Sequence, residues 1–443
     1  MNKQSKGYNA LRIYVRFAFW LTHKKIVVVG RENIPDNKPV IFAANHQNAL
    51  MDPLALVLTN PLQTLWLTRA DIFKSNFTRP ILKFMKMIPI YRIRDGKDSL
   101  SNNDEIFRQV TRVLEGKGSI ALFPEAAHSG KRQMLSHKKA IPRIALEAEE
   151  KNDFEMDLQL VPTGIFYDHY WKFNRTLLVQ YGKPIDIDGY KIAYKENTLS
   201  AMLALREDIR ESLEPLTMQI NSEKHYIDYE NFRAISGEEN ARKGQLSENR
   251  TLHRFKAEQE MIRKIEHLEL SNPTLFKELT DRTQTYMVLI SRAGYSNQQL
   301  VKAQNTNLIN LLAGMTWALL TFSVVLVGAL FSIIPFLIPR EFLTRKIKDP
   351  AFRSSINFAV GLLLFPLFYL IESSIIGMVS GSFVAAIVTL VVIPFVGKFA
   401  FQLLMFDIDL IKVVKLRSIN RQLYKKVSVM REGILAIIRA IKS

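Results

Sequence analysis

The chain has 443 residues, with 60 Lys and Arg against 42 Asp and Glu and a formal net charge of +18 at pH 7. That length has room for more than one structural unit, and the charge directs the molecule toward something anionic, whether nucleic acid, an anionic lipid surface or an acidic substrate. There is no cysteine, which excludes disulfides, thiolate metal sites and cysteine nucleophiles and leaves only oxygen and nitrogen chemistry.

At the N-terminus the apolar stretch from Tyr14 to Leu21 is interrupted by Arg16 and followed by His23, Lys24 and Lys25, with no small-residue cleavage site. It therefore reads as a retained segment rather than a signal peptide. Helical spacing puts Leu11, Val15 and Ala18 on one face and Arg12 and Arg16 on another, with Tyr14, Phe17, Phe19 and Trp20 adding aromatic bulk. Residues 1–24 are expected to form an interfacial amphipathic helix, the alternative being a plain helix packed on the domain.

From 25 to 220, short β-rich runs alternate with helical patterns, the rhythm of an α/β domain. The predicted strands are Ile26 to Val29, Val40 to Ala44, Thr64 to Thr68, Ser119 to Phe123, Leu158 to Ile165 and Thr176 to Tyr181. Helices are predicted near 53–60, 78–86, 103–115, 137–150 and 197–214, the first opened by Asp52-Pro53 as a cap followed by proline. Residues 221–305 turn polar and charged and read as a helical connector, with a helix from Asn249 to Leu268 and breakers at Gly237, Gly244 and Asn272-Pro273.

Between 306 and 406 lie two apolar tracts, 308–338 and 357–404, the second interrupted only by Glu372 and Lys398. A crossing needs about 20 apolar residues. The loop 339–356 carries Arg340, Arg345, Lys346, Lys348 and Arg353, and the tail 407–443 is rich in Lys and Arg. Basic loops favour the cytoplasmic side, so both are expected there with the preceding domain, which requires an even number of crossings in each tract. The expectation is two transmembrane hairpins, one turning near Gly328 and one near Glu372 to Gly381, in an integral protein of the cell inner membrane. The basic residues flank apolar tracts and include no stacking module, which disfavours nucleic acid as the partner and favours membrane lipids. Only Glu372 and Lys398 lie deep in the tracts, too few ionisable groups for a transporter.

The chemistry-bearing residues begin directly after the Val40 to Ala44 run, in Asn45-His46-Gln47-Asn48-Ala49-Leu50-Met51-Asp52-Pro53. A histidine at a strand end and an aspartate at a helix start can meet across the intervening turn, the carboxylate orienting the imidazole and stabilising the imidazolium that forms when it takes a proton. The same spacing also suits a capped loop with no catalytic role. Three further motifs follow in order: Met87-Ile88-Pro89-Ile90-Tyr91-Arg92, Phe123-Pro124-Glu125-Ala126-Ala127-His128-Ser129, and Leu160-Val161-Pro162-Thr163-Gly164.

Together these four motifs resemble the glycerolipid acyltransferase family of PlsC type. The family's first motif is Asn-His-x4-Asp; here five residues intervene, which more closely resembles the branch of yeast-type glycerol-3-phosphate and dihydroxyacetone-phosphate acyltransferases and their bacterial relatives. The resemblance covers about 25–220 and implies an α/β acyltransferase domain, a mixed sheet flanked by helices. It implies His46 as base and Asp52 as its partner, with Asn45, His128 and Ser129 expected among the substrate-binding residues. By the same resemblance Arg92 is a phosphate ligand, suited by its planar fork of donors, and Glu125 helps to bind the acceptor.

In the third motif the family's Gly, Thr and Arg are replaced by Ala126, Ala127 and His128, while Ser129 is retained. The missing arginine leaves Lys131 and Arg132 as candidates for the acceptor's phosphate, with Lys138 and Lys139 behind them. A solvated basic loop is the alternative for each. The implied reaction passes a fatty acyl group from acyl-CoA or acyl carrier protein to a glycerol-phosphate acceptor, with no metal and no cofactor beyond the thioester co-substrate. The expected acceptor is 1-acyl-sn-glycerol-3-phosphate, with glycerol-3-phosphate or dihydroxyacetone phosphate as the alternative. The replaced third motif also admits a non-catalytic lipid-binding scaffold, against which the intact His46, Asp52 and Glu125 argue.

Overall fold

The apolar runs of the first two hundred residues form one eight-stranded sheet in the computed structural model, which describes residues 6–73, 75–76, 78–91, 102–243, 249–343, 347 and 350–441. Contacts divide the chain into two units, Met1–Met218 with Leu343–Ala359, and Gln219–Phe342 with Val360–Ser443.

The first unit opens with helix α1 (Lys6–Thr22) and strand β1 (His23–Val29), followed by β2 (Val40–Ala44), α2 (Met51–Thr59), β3 (Thr64–Arg69), α3 (Thr78–Phe84) and β4 (Met87–Ile90). It continues through α4 (Asn102–Glu115), β5 (Ser119–Leu122), α5 (Ala140–Glu150), β6 (Gln159–Tyr167), β7 (Arg175–Tyr181), β8 (Ile185–Asp186), α6 (Lys191–Glu196) and α7 (Thr198–Leu213). The strand order is β1-β7-β6-β2-β5-β3-β4, with β8 on β6. All pairs are parallel except β6 with β7 and β6 with β8. The α/β rhythm read from the alternating pattern is present, and the sheet is mixed, as the family resemblance implies.

Strands β2, β5 and β6 are buried at every residue, as expected for central strands covered on both faces, and this is why Val40 to Ala44 reads as an unbroken apolar run. One cover is a cluster in which Ile106, Val110 and Leu114 of α4 meet Ile141, Ile144 and Ala148 of α5 and Ala201, Leu205, Ile209 and Leu213 of α7. These are helical spacings of three to four residues, the stripe that lets a helix bury one side. Helix α1 buries Tyr8 and Phe19 but leaves Ile13 70% exposed and Trp20 38% exposed, so it both packs on the domain and presents an apolar flank.

The second unit contains α8 (Tyr226–Lys243), α9 (Arg250–Ser271), α10 (Pro273–Arg292), α11 (Asn297–Asn305), α12 (Leu308–Ile338), the later part of α13 (Pro350–Ser380), α14 (Phe383–Ser418) and α15 (Arg421–Ala440). Within residues 221–305, α8 packs on α9, α10 and α11, α9 packs on α10, and α8, α10 and α11 pack on α15. The predicted break at Gly237 is not there; the residue lies inside α8. A Cβ at that position would come within 2.7 Å of the Arg254 guanidinium and 2.8 Å of Glu258 Oε1. The glycine therefore makes room for a buried ion pair, Arg233 to Glu258 at 2.9 Å, with Arg254 on the other oxygen at 2.7 Å. Asn272-Pro273 does separate two helices, Asn272 capping α10 through the Leu275 N–H at 3.1 Å. Gly244 lies outside the described residues.

Three helices are long and apolar enough to cross a membrane by length and composition, Leu308–Glu341, Phe352–Ser380 and Phe383–Ser418. The hairpin expected within the first tract is absent: α12 runs unbroken for 31 residues, about 46 Å at 1.5 Å per residue, so the tract serves as one long helix. Gly328 is a packing position and not a turn, since a Cβ there would sit 2.1 Å from Ala400 Cβ on α14. The second tract does form a hairpin, turning at Gly381 with φ +64°, a conformation suited to glycine. Glu372 is well inside α13 and away from that turn.

Candidate active site

Parallel β2 and β5 end side by side, with Ala43 paired to Leu122, so the residues that follow each strand emerge together at the carboxyl edge of the sheet. Binding crevices of open α/β sheets form at that edge. From β2 come Asn45 and His46, and from β5 come Phe123 and Glu125. On the other side of β2, β6 runs further, with Ala44 paired to Thr163. Asn45 continues the ladder with its side chain, donating to the Ile165 carbonyl at 3.1 Å and accepting from the Ile165 N–H at 2.7 Å. The structure therefore gives Asn45 the task of fixing the strand end where the imidazole begins.

His46 Nδ1 lies 3.0 Å from Asp52 Oδ2. That same oxygen accepts the backbone N–H groups of Gln47 and Asn48, each at 2.7 Å. The expected capping of α2 by Asp52 does not occur: the helix begins at Met51, and the carboxylate instead reaches back over the loop. Asp52 is 1% exposed. With the carboxylate on Nδ1, the proton belongs on that nitrogen and the lone pair on Nε2, to which no described residue hydrogen-bonds. The His46 side chain is 15% exposed, so Nε2 is open to a small reactant. The ring stacks on Phe123, with centroids 4.0 Å apart and planes 11° from parallel, and meets His128 edge-on at 5.5 Å.

Glu125 supports the base from behind. Its Oε1 accepts the His46 N–H at 2.9 Å and its Oε2 accepts the Leu135 N–H at 2.8 Å. It is 2% exposed, and burial pushes its pKa up to about 8, against the pull of those two donors, with the nearby Asp52 raising it further. This carboxyl braces the backbone at both His46 and Leu135. Tyr167, at the end of β6, is fully buried; burial, and then the Asp52 charge, raise its hydroxyl pKa well above 10. Arg175 lies over the Tyr167 ring at 4.7 Å and donates to the Tyr170 carbonyl, while the Tyr170 hydroxyl donates to Gln47 Oε1. Gln47, Asn48, Tyr167, Tyr170 and Arg175 thus surround the pair, and none of them stands out in the sequence. Only the length of β6, buried throughout, hints that its far end reaches the site.

The basic candidates separate on inspection. Arg132 is 2% exposed. Its guanidinium donates to the carbonyls of Tyr167 at 2.9 Å and Asp168 at 3.0 Å and lies over the rings of Phe166 and Tyr170. It is built into the wall of the domain, which corrects the reading of it as an open phosphate ligand. Lys131, one residue earlier, is exposed. Ser129 forms the turn between them and the site, its hydroxyl donating toward the carbonyls of Lys131 and Gln133 and accepting the Lys131 N–H. His128, half-buried, is the member of the replaced third motif that reaches the base. Ala126, where the family carries glycine, has φ +56°, a left-handed conformation that costs an alanine roughly 1 kcal/mol. Arg92 lies outside the described residues. Among the described residues no three His, Asp or Glu side chains are placed to hold a metal ion.

A strand-end histidine oriented by a buried carboxylate, at the carboxyl edge of a mixed sheet, defines a domain equipped for general-base transfer chemistry. Residues 25–165, within the first unit, match the family model described as Acyltransferase. The chain is similar to glycerol-3-phosphate O-acyltransferase 2 of Saccharomyces cerevisiae, 32% identical over 117 residues, or 26% of this chain and 16% of that protein. It is similar also to the 1-acyl-sn-glycerol-3-phosphate acyltransferase of Borreliella burgdorferi, 26% identical over 207 residues, 46% of this chain and 78% of that one. Among solved structures, the 1-acyl-sn-glycerophosphate (LPA) acyltransferase PlsC of Thermotoga maritima matches with 21% identity and a TM-score of 0.34 over 48% of this chain and 82% of that one. The match to the yeast protein thus spans about a sixth of its length.

Proposed function

We propose that the protein transfers a fatty acyl group from a thioester, acyl-CoA or acyl carrier protein, to the free hydroxyl of 1-acyl-sn-glycerol-3-phosphate in phospholipid biosynthesis. The observation that carries this reading is the His46 to Asp52 contact at 3.0 Å with Nε2 left open. Nε2 takes the hydroxyl proton as the oxygen attacks the thioester carbonyl. The tetrahedral intermediate then expels the thiolate, which recovers that proton from the imidazolium and leaves as the free thiol. Asp52 keeps its charge throughout and steadies the cation between the two proton transfers. No acyl-enzyme is formed.

The acceptor phosphate is assigned to Arg92 and Lys131, with His128 beside the base; Arg132 contributes through the wall it holds. Glycerol-3-phosphate or dihydroxyacetone phosphate is the second reading, supported by the five-residue spacing between His46 and Asp52 and by the similarity to a yeast glycerol-3-phosphate acyltransferase. The similarity to a bacterial 1-acyl-sn-glycerol-3-phosphate acyltransferase over a larger share of both chains supports the first. Acyl transfer by the detergent-solubilised protein, measured with each acceptor and each donor in turn, decides among them. Absence of transfer to every glycerol-phosphate acceptor would remove the enzymatic reading.

We place the protein in the inner membrane with the acyltransferase domain and the basic loop facing the cytoplasm. Residues 343–359 belong to the same unit as the catalytic residues, so both lie on one side of the bilayer. Among the described residues only α12 is apolar and long enough to cross between them. One full crossing would put them on opposite sides, and α12 is accordingly assigned to the bilayer without traversing it. Accessibility of single cysteines introduced at residues 220 and 347 tests this: labelling from opposite sides would refute it.

A further inference from the structure

The loop that joins the base to its carboxylate is held by a part of the chain three hundred residues away. Within the first unit the opening turns of α13 lie on that loop. Ser354 Oγ donates to Asn48 Oδ1 at 2.8 Å, and the Leu50 N–H donates to Ser355 Oγ at 3.1 Å. Ser355 is 5% exposed. Two residues before Ser354, Phe352 meets His128 edge-on, centroids 5.1 Å apart and planes at 85°.

These contacts fall on atoms that decide the geometry of the base. The Asn48 N–H is one of the three donors to Asp52 Oδ2, and the Asn48 side-chain amide donates to the Tyr170 carbonyl at 3.1 Å. Ser354 therefore supplies the donor that this amide's oxygen needs, and Asn48 is fixed at backbone and side chain together. Leu50, two residues before Asp52, is fixed by Ser355. Between them Ala49 has φ +36°, a conformation that an alanine holds only where its surroundings impose it. The loop cannot relax without releasing one of the two serine contacts, and a relaxed loop moves the carboxylate away from the imidazole.

We propose that Ser354 and Ser355 are positioning residues for acyl transfer, holding the loop 47–51 so that Asp52 reaches His46. The acyltransferase motifs end by residue 164, yet the working site then includes the start of a helix that continues as a candidate membrane span. This inference rests on the reading of His46 and Asp52 as the catalytic pair.

The test compares Ser354→Ala/Ser355→Ala with the full-length protein, in detergent, under saturating donor. The loss of two hydrogen bonds should lower kcat roughly 10- to 100-fold with the acceptor KM nearly unchanged and the thermal transition within a few degrees. Ser354→Thr/Ser355→Thr keeps both hydroxyls and should restore most of kcat. Because the serines act through Asp52, adding the alanine pair to Asp52→Asn should cause little further loss. Wild-type kcat in the alanine pair, or losses that multiply in the Asp52→Asn background, overturns the positioning role while leaving the pair intact. Wild-type kcat in Asp52→Asn alone overturns the catalytic pair and this inference with it.

Discussion

Replacing Asp52 with asparagine removes one charge and very little volume, at a position 1% exposed where a single carboxylate oxygen accepts three hydrogen bonds. In the proposed acyl transfer the His46 ring becomes a cation 3.0 Å from that oxygen. At an effective dielectric of about 20 the attraction between unit charges at that distance is roughly 5 kcal/mol, equivalent to about four powers of ten in rate. The charge is only partly developed at the transition state, and an amide oxygen retains part of the dipole, so the expected fall in kcat is about 10²- to 10⁴-fold. Binding of the acceptor makes no use of Asp52, so its KM should stay within a few fold of wild type. The amide oxygen of the variant can still accept the Gln47 and Asn48 N–H groups, which keeps the loop folded and separates chemistry from stability. Initial rates of acyl transfer over a range of acceptor concentrations, with thermal unfolding on the same preparations, provide the measurement. A folded variant with kcat within threefold of wild type would refute the reasoning, because a carboxylate whose charge is dispensable is not steadying an imidazolium.

Glu125 predicts a pH dependence of stability. Its pKa rises from an ordinary 4.5 to about 8 in the folded protein, so the folded state retains a proton that the unfolded chain releases, and stability falls as pH rises from about 4.5 to about 8. Glu125→Gln cannot titrate; the advantage of wild type over this variant in Tm should shrink across that interval, and a constant difference would argue against it. Ala126→Gly should raise stability by up to about 1 kcal/mol by relieving the left-handed alanine, read as a higher thermal midpoint with unchanged kcat. Arg132→Met should lower stability by about 2–5 kcal/mol, through lost hydrogen bonds to two carbonyls and lost contact with two rings. Lys131→Met should instead raise the acceptor's KM with no change in melting. The reverse pattern would return Arg132 to the phosphate site.

Most elements of the first unit are legible from residue order because they are written in a local pattern; the short β4, β8 and α6 are not, being too brief to show a period. Val40 to Ala44 is buried on both faces and so is continuously apolar, while α4 and α7 carry apolar residues at helical spacing and bury one stripe. The same order singles out His46, Asp52 and Glu125, since these stand in ordered motifs at the ends of strands that become neighbours. Arg132 is misleading in the sequence for a physical reason: whether an arginine is solvated or buried depends on which carbonyls and rings surround it, and those come from residues 166 to 170. The hairpin expected in 308–338 fails similarly, since a glycine that admits Ala400 looks no different in sequence from one that permits a turn. The assembled fold places Tyr167 and Arg175 behind Asp52 and lays Ser354 and Ser355 on the catalytic loop. Contacts between residues three hundred positions apart depend on how sheet and helices assemble, and no local pattern of residues encodes them.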